Sequence, residues 1–142
     1  MTSPNSRHAH VVGLGLIGAS VALALKSTGW SVTGVDSDPS TVTLAIDGGV
    51  IIDTELSPNV DLAVIATPAG AVARLASEVL AQLVNPAVIV TDVAGVKGSI
   101  VAQLADERFL GGHPMAGSEL RGLSGARADL FQGCLLYTSR CV

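Results

Sequence analysis

His8-Ala9-His10-Val11-Val12-Gly13-Leu14-Gly15-Leu16-Ile17-Gly18 decides the fold. Its first five residues end in two β-branched positions and run straight into glycine, the pattern of a buried strand that stops at a tight turn. The stretch from Leu16 to Thr28 is rich in Ala and Leu and closes at Gly29, which predicts a helix with a glycine terminator. Between strand and helix the glycines stand in G-x-G-x-x-G spacing. Gly13 makes the turn, Gly15 lets backbone approach a pyrophosphate, and Gly18 lets the helix pack closely on the strand. Leu16 and Ile17 open a helix whose unpaired first-turn amides and positive dipole end favour phosphate. The spacing alone is a weak signal. Its place between a strand and a helix makes Gly13, Gly15, Leu16, Ile17 and Gly18 candidate cofactor-binding residues.

Ser31 to Val35 reads as a second strand, and Asp36 stands at its end, eighteen residues after Gly18. A carboxylate there accepts hydrogen bonds from an adenosine ribose and repels a 2′-phosphate, so the cofactor expected is NAD rather than NADP. The competing reading of Asp36 is a solvated turn residue. Asp38-Pro39 starts a helix over Ser40 to Asp47, which Gly48-Gly49 stops. Val50 to Ile52 is expected as a short third strand, and Leu62 to Ala66 is a continuous apolar run of the kind a parallel sheet buries on both faces. Thr67-Pro68 breaks that run at the carboxyl edge, where a cofactor contact and a simple strand-ending turn are both open readings. Val72, Leu75, Ala76, Val79, Leu80 and Leu83 give Ala71 to Leu83 one buried helical stripe. A strand over Val88 to Thr91, a helix over Gly98 to Leu104 and a short strand at Phe109-Leu110 follow. Gly111-Gly112-His113-Pro114 is expected as an irregular loop. Strands alternating with helices in this order indicate an α/β fold with a Rossmann-type, doubly wound parallel sheet.

Composition sets the limits. With 142 residues, 49% of them apolar and 14% charged, the chain suits one well-buried domain and is short for two. A net charge of −4 supplies no basic face for nucleic acid or an anionic membrane. The uncharged stretch from Val11 to Leu25 is short of a bilayer span and carries the phosphate-turn glycines, against a signal peptide or membrane helix. Cys134 and Cys141 suggest neither a disulfide framework nor a metal site, and a reducing cytoplasm is the expected compartment.

Two later segments carry more specific signals. Thr91-Asp92-Val93-Ala94-Gly95-Val96-Lys97-Gly98 and Gly111-Gly112-His113-Pro114-Met115-Ala116-Gly117-Ser118-Glu119 resemble the signature segments of prephenate dehydrogenases. With the glycine turn, the resemblance runs from about Val11 to Gly133. It implies NAD-dependent oxidative decarboxylation of prephenate to 4-hydroxyphenylpyruvate in tyrosine biosynthesis, with arogenate as the neighbouring substrate. It also implies that His113 is the catalytic base that takes the proton of the ring hydroxyl, a role suited to an imidazole that titrates near neutrality. Read without the resemblance, a histidine before proline in a glycine-rich loop is more often a structural residue. Asp92 is counted with Thr67 and Pro68 among the cofactor-binding residues, and Gly95 and Glu119 among the substrate-binding ones. The family commonly has serine where Gly95 stands, and that serine bonds the catalytic histidine. Lys97 is open between a partner for Asp92 or a substrate carboxylate and an ordinary surface lysine. Glu119 matches a glutamate near the mouth of the substrate site.

Family members carry a helical second domain that forms homodimers and supplies cations for the substrate carboxylates, and it is expected to be missing here. The fragment alone is then expected to bind cofactor without turning over substrate, because catalysis needs a substrate held in reacting geometry. The rival readings are a β-hydroxyacid or imine reductase type of dehydrogenase, against which GGHPMAGSE argues, and a non-catalytic NAD-binding module. The domain is read as residues 1–133. Residues 134–142, Cys-Leu-Leu-Tyr-Thr-Ser-Arg-Cys-Val, follow no periodicity and resemble translated sequencing adapter. The codons TGT CTC TTA TAC ACA TCT AGA TGT GTA encode them and, with TAA GAG ACA added, become their own reverse complement. The tail is therefore expected to lie outside the fold.

Overall fold

A computed structural model describes residues 6–94, 103–114, 122–132 and 136–140, with His113, Pro114 and 136–140 described by their backbone. Strand β1 (His8–Val12) lies inside the sheet, one strand from its edge. It pairs in parallel with β2 (Ser31–Val35), from His8↔Ser31 to Val12↔Val35, and on its other edge with β3 (Leu62–Ile65), from Ala9↔Leu62 to Val12↔Ile65. β4 (Ile89–Asp92) and β5 (Phe109–Pro114) extend the parallel sheet, and β6 (Leu136–Arg140) closes it antiparallel, in the order β2-β1-β3-β4-β5-β6.

Both faces of this sheet are covered, which is why its strands read as apolar runs rather than alternations. Ala9 and Val11 of β1 and Val64 of β3 enter one core with Ala19 and Ala22 of helix α1 (Leu16–Ser27) and Ala45 of helix α2 (Pro39–Asp47). Val12, Ala63 and Ile65 enter the other, with Val72, Ala76, Val79 and Leu80 of helix α3 (Ala69–Gln82). The chain reverses direction across the sheet between β2 and β3, on either side of β1. That is the switch point at which open α/β sheets leave a crevice beyond the carboxyl ends of their strands.

Local chemistry fixes the element ends. Asp38 caps α2 by accepting from the Ser40 amide at 3.0 Å, and Pro39 takes the first helical turn, where its missing N–H costs nothing. Arg108 closes α3, donating from Nη1 to Leu83 O at 3.0 Å and from Nη2 to Leu80 O at 3.1 Å while pairing with Asp106 at 2.6 Å. After β5 the chain returns to α1. A short 3-10 turn, Leu123–Gly125, packs against the first core, and the Arg127 amide donates to the buried Ser20 Oγ at 3.1 Å.

Three expectations change. Val50 to Ile52 is not a strand: it runs beside the outer edge of β2 with two bonds, Ile52 N to Val32 O at 2.9 Å and Gly34 N to Asp53 O at 3.0 Å, too few to make a ladder. Gly111-Gly112-His113-Pro114 is not an irregular loop but the second part of β5. β4 holds that strand only at Phe109 and Leu110, and β6 pairs from Leu110↔Arg140 to Pro114↔Leu136, which keeps the glycines extended. Residues 136–140, expected outside the fold, thus form its edge strand. The expected helix over Gly98 to Leu104 lies outside the described residues except at 103–104.

Candidate functional site

At the switch point the glycine turn is built by close approach. Gly13 has φ +98°, and a Cβ there would sit 2.5 Å from Ala66 O. Its amide donates to Val35 O at 2.8 Å, so the turn is tied to the end of β2. A Cβ on Gly18 would fall 1.8 Å from Gly13 O, so only glycine lets α1 start this close to the turn. Gly15 meets nothing within 4 Å of its would-be Cβ and opens onto a cavity.

That cavity, bounded by three elements, has a volume near 610 Å³, within the range of small-molecule sites. Gly13 and Gly15 form its floor, Asp36 and Ser37 line it from the end of β2, and Thr67, Pro68, Ala71, Arg74 and Leu75 line it from the start of α3. Asp36 is oriented by two backbone donors: Leu14 N to Oδ2 at 2.7 Å and Asp38 N to Oδ1 at 2.9 Å. A carboxylate has about four lone-pair sites, so each oxygen keeps one for a further donor, the number a ribose diol brings. Thr67 Oγ1 is buried and, among the described residues, has no hydrogen-bond partner. A buried hydroxyl without a partner is costly, and a ligand's polar group at this cavity would satisfy it. An orphaned hydroxyl, an open glycine and an oriented carboxylate around one cavity fit a dinucleotide.

The structure gathers Gly13, Gly15, Asp36, Thr67 and Pro68 at the cavity. Pro68 also caps α3. Leu16, Ile17 and Gly18 stand behind the turn and do not line the cavity, though the first helical turn begins with them. Asp92 is not brought there. Its carboxylate is 1% exposed and accepts from Ala94 N at 3.0 Å and Gly112 N at 3.2 Å, fastening β4 to β5. Gly95, Lys97 and Glu119 lie outside the described residues. His113 is placed by its backbone near the carboxyl end of β5, the same edge of the sheet as the glycine turn.

Sequence reasoning missed Ser37, Ala71 and Arg74 at the cavity and read Leu75 only as part of the buried stripe of α3, because helix periodicity does not say what lies opposite each face. It also passed over His10, which is 2% exposed with Nδ1 2.7 Å from Thr33 Oγ1. Burial pushes its pKa down to about 4, opposed in part by the Asp53 charge.

The fold and the cavity together define a dinucleotide-binding α/β domain of the Rossmann type. The chain belongs to the prephenate dehydrogenase family: residues 21–137 match the description "Prephenate dehydrogenase, nucleotide-binding domain". That match begins past the glycine turn, whose geometry therefore stands as separate support. The chain is 33% identical over 135 residues to a prephenate dehydrogenase of Bacillus subtilis, covering 86% of this chain and 36% of the relative. It superposes on prephenate dehydrogenase from A. aeolicus in complex with hydroxyphenyl propionate and NAD+, with a TM-score of 0.83 and 28% identity over 97% of this chain and 52% of the other. Synechocystis arogenate dehydrogenase gives a TM-score of 0.82 at 30% identity, over 93% of this chain and 49% of that one. The chain thus spans between about a third and a half of the length of these relatives. Among the described residues no helix is long and apolar enough to cross a membrane, and no cluster of metal-ligating side chains occurs.

Proposed function

We propose that this chain is the NAD-binding part of an oxidoreductase that converts prephenate to 4-hydroxyphenylpyruvate with loss of carbon dioxide. The observation that carries the proposal is the shared edge: the glycine turn, Thr67 and His113 all follow or end parallel strands at the carboxyl side of one sheet. β5 lies three strand spacings from β1, about 14 Å at 4.8 Å per spacing. Adenosine at the β2 end and chemistry at the β5 end are therefore compatible with one extended cofactor. NAD supplies the hydride acceptor when bound. Asp36 receives the ribose hydroxyls, Thr67 Oγ1 bonds the cofactor's polar backbone, and the first turn of α1 faces its phosphates. His113 takes the proton of the substrate ring hydroxyl, with Gly95 and Glu119 at the substrate side. The substrate's carboxylates are left to a second, dimer-forming domain of the kind the family resemblance implies.

Arogenate is the second reading, favoured by the likeness to the Synechocystis enzyme. Both are tested in a full-length chain that contains this domain. Oxidation of prephenate with NAD is expected, and His113→Asn is expected to cut kcat by roughly 10²- to 10⁴-fold, the span of a positioned general base, with a smaller change in KM. Turnover of arogenate but not prephenate selects the second reading. Full turnover in His113→Asn returns that residue to a structural role.

A further inference from the structure

The geometry points to Arg74 as a second cofactor-selecting residue, a guanidinium on the α3 wall of the nucleotide cavity that becomes a 2′-phosphate clamp once the Asp36 carboxylate is removed. This rests on the dinucleotide reading above. Asp36 and Arg74 are the charged residues that line the cavity, one from the end of β2 and the other from α3. Asp36 is locked by the Leu14 and Asp38 amides, so it cannot swing away from an incoming 2′-phosphate. Arg74 is more weakly held. Among the described residues its ion pair is Nη1 to Glu78 Oε1 at 3.2 Å, with both side chains more than half exposed, and such pairs hold weakly.

Glu78 stands one helical turn farther from Pro68 than Arg74 does, so the pair draws the guanidinium along the helix, away from the cavity's glycine floor. Among the described residues the contact of the guanidinium is made by Nη1 alone, which leaves a fork that matches a phosphate bidentately. A phosphomonoester carries nearly two negative charges and outcompetes a single carboxylate for that fork. In the unaltered chain the Asp36 charge offsets this attraction, and NAD is selected. The adenosine end is therefore set by two opposed charges, with Glu78 as the positioning residue that holds the cation in reserve.

The test is titration of NAD and NADP against the 142-residue chain and its variants, followed by tryptophan or cofactor fluorescence and by calorimetry. Asp36→Ala is expected to raise NADP affinity by about tenfold or more, the effect of a charge-assisted contact. Adding Arg74→Gln is expected to abolish that gain, and Arg74→Lys to keep only part of it. The NADP affinity of Asp36→Ala should also fall more steeply with salt than that of the double variant. Arg74 is an exposed helix residue, and an unchanged thermal midpoint confirms that its variants fold. An NADP gain that survives Arg74→Gln overturns the assignment while leaving the NAD reading intact. No NAD binding by the unaltered chain overturns both.

Discussion

β1 and β5 both bring histidine and glycine together, and they use them in opposite ways. In β1 the glycine follows the strand, adopts φ +98° and turns the chain where any side chain would strike Ala66 O. In β5, Gly111 and Gly112 lie inside the strand, held extended opposite Ser139 and Thr138. His10 of β1 is buried against Thr33, whereas His113 is set at the strand's carboxyl end beside the nucleotide edge. Glycine alone announces only that the backbone is permissive. Whether it turns or extends is decided by what pairs with it.

The strongest way to break the comparison is to add a methyl group to each glycine type. Gly13→Ala meets both the positive φ and the carbonyl of Ala66, and is expected to cost about 3 kcal/mol or more, with loss of nucleotide binding. Gly111→Ala keeps an extended backbone that any residue adopts, and is expected to change stability by no more than about 1 kcal/mol. Urea unfolding of both variants measures the gap; equal losses would erase the distinction between turn and strand glycines.

A smaller effect separates the histidines. His10 has its pKa lowered to about 4, from 6.5 in an unfolded chain, so the folded state favours the neutral ring. Its contribution to stability is fully present above pH 6.5 and declines as pH falls toward 4, because the unfolded chain takes up the proton first. Between pH 6.5 and 5 the loss is about 1.5 kcal/mol. Unfolding midpoints across that interval should show the decline, and His10→Gln should flatten it. A slope that persists in the variant would move its origin to another group.

The smallest effect is expected from removing Cys134 to Val142. β4 still holds Phe109 and Leu110, and Phe109 keeps its place in the core, so the thermal midpoint should correspond to a loss below about 1 kcal/mol. A larger drop would make β6 an integral strand and count against an adapter origin for the tail.

Most of the nucleotide half was legible because its determinants are local. The turn at Gly13, the cap at Asp38-Pro39 and the stripe from Val72 to Leu80 are each written within a few residues of where they act. What escaped depends on distant pairing. Nothing near Gly111 says that residues 136–140 will lie beside it, and nothing near Asp92 says that its carboxylate will reach the Gly112 amide. Arg74 was invisible for the same reason, since a cation on a helix face gains meaning only from the Asp36 that shares its cavity.

His10 and Thr33 are also Cα partners in the ladder between β1 and β2, with Nδ1 and Oγ1 2.7 Å apart. Neighbouring positions on both strands are small or aliphatic, so a slip of one residue would turn the imidazole to the opposite face and strip it of its hydroxyl partner. A sheet made only of Val, Ile and Ala tolerates misalignment, for its side chains are nearly interchangeable. One polar couple between β1 and its edge neighbour acts as an alignment key, favouring one register of the two strands over its one-residue slips.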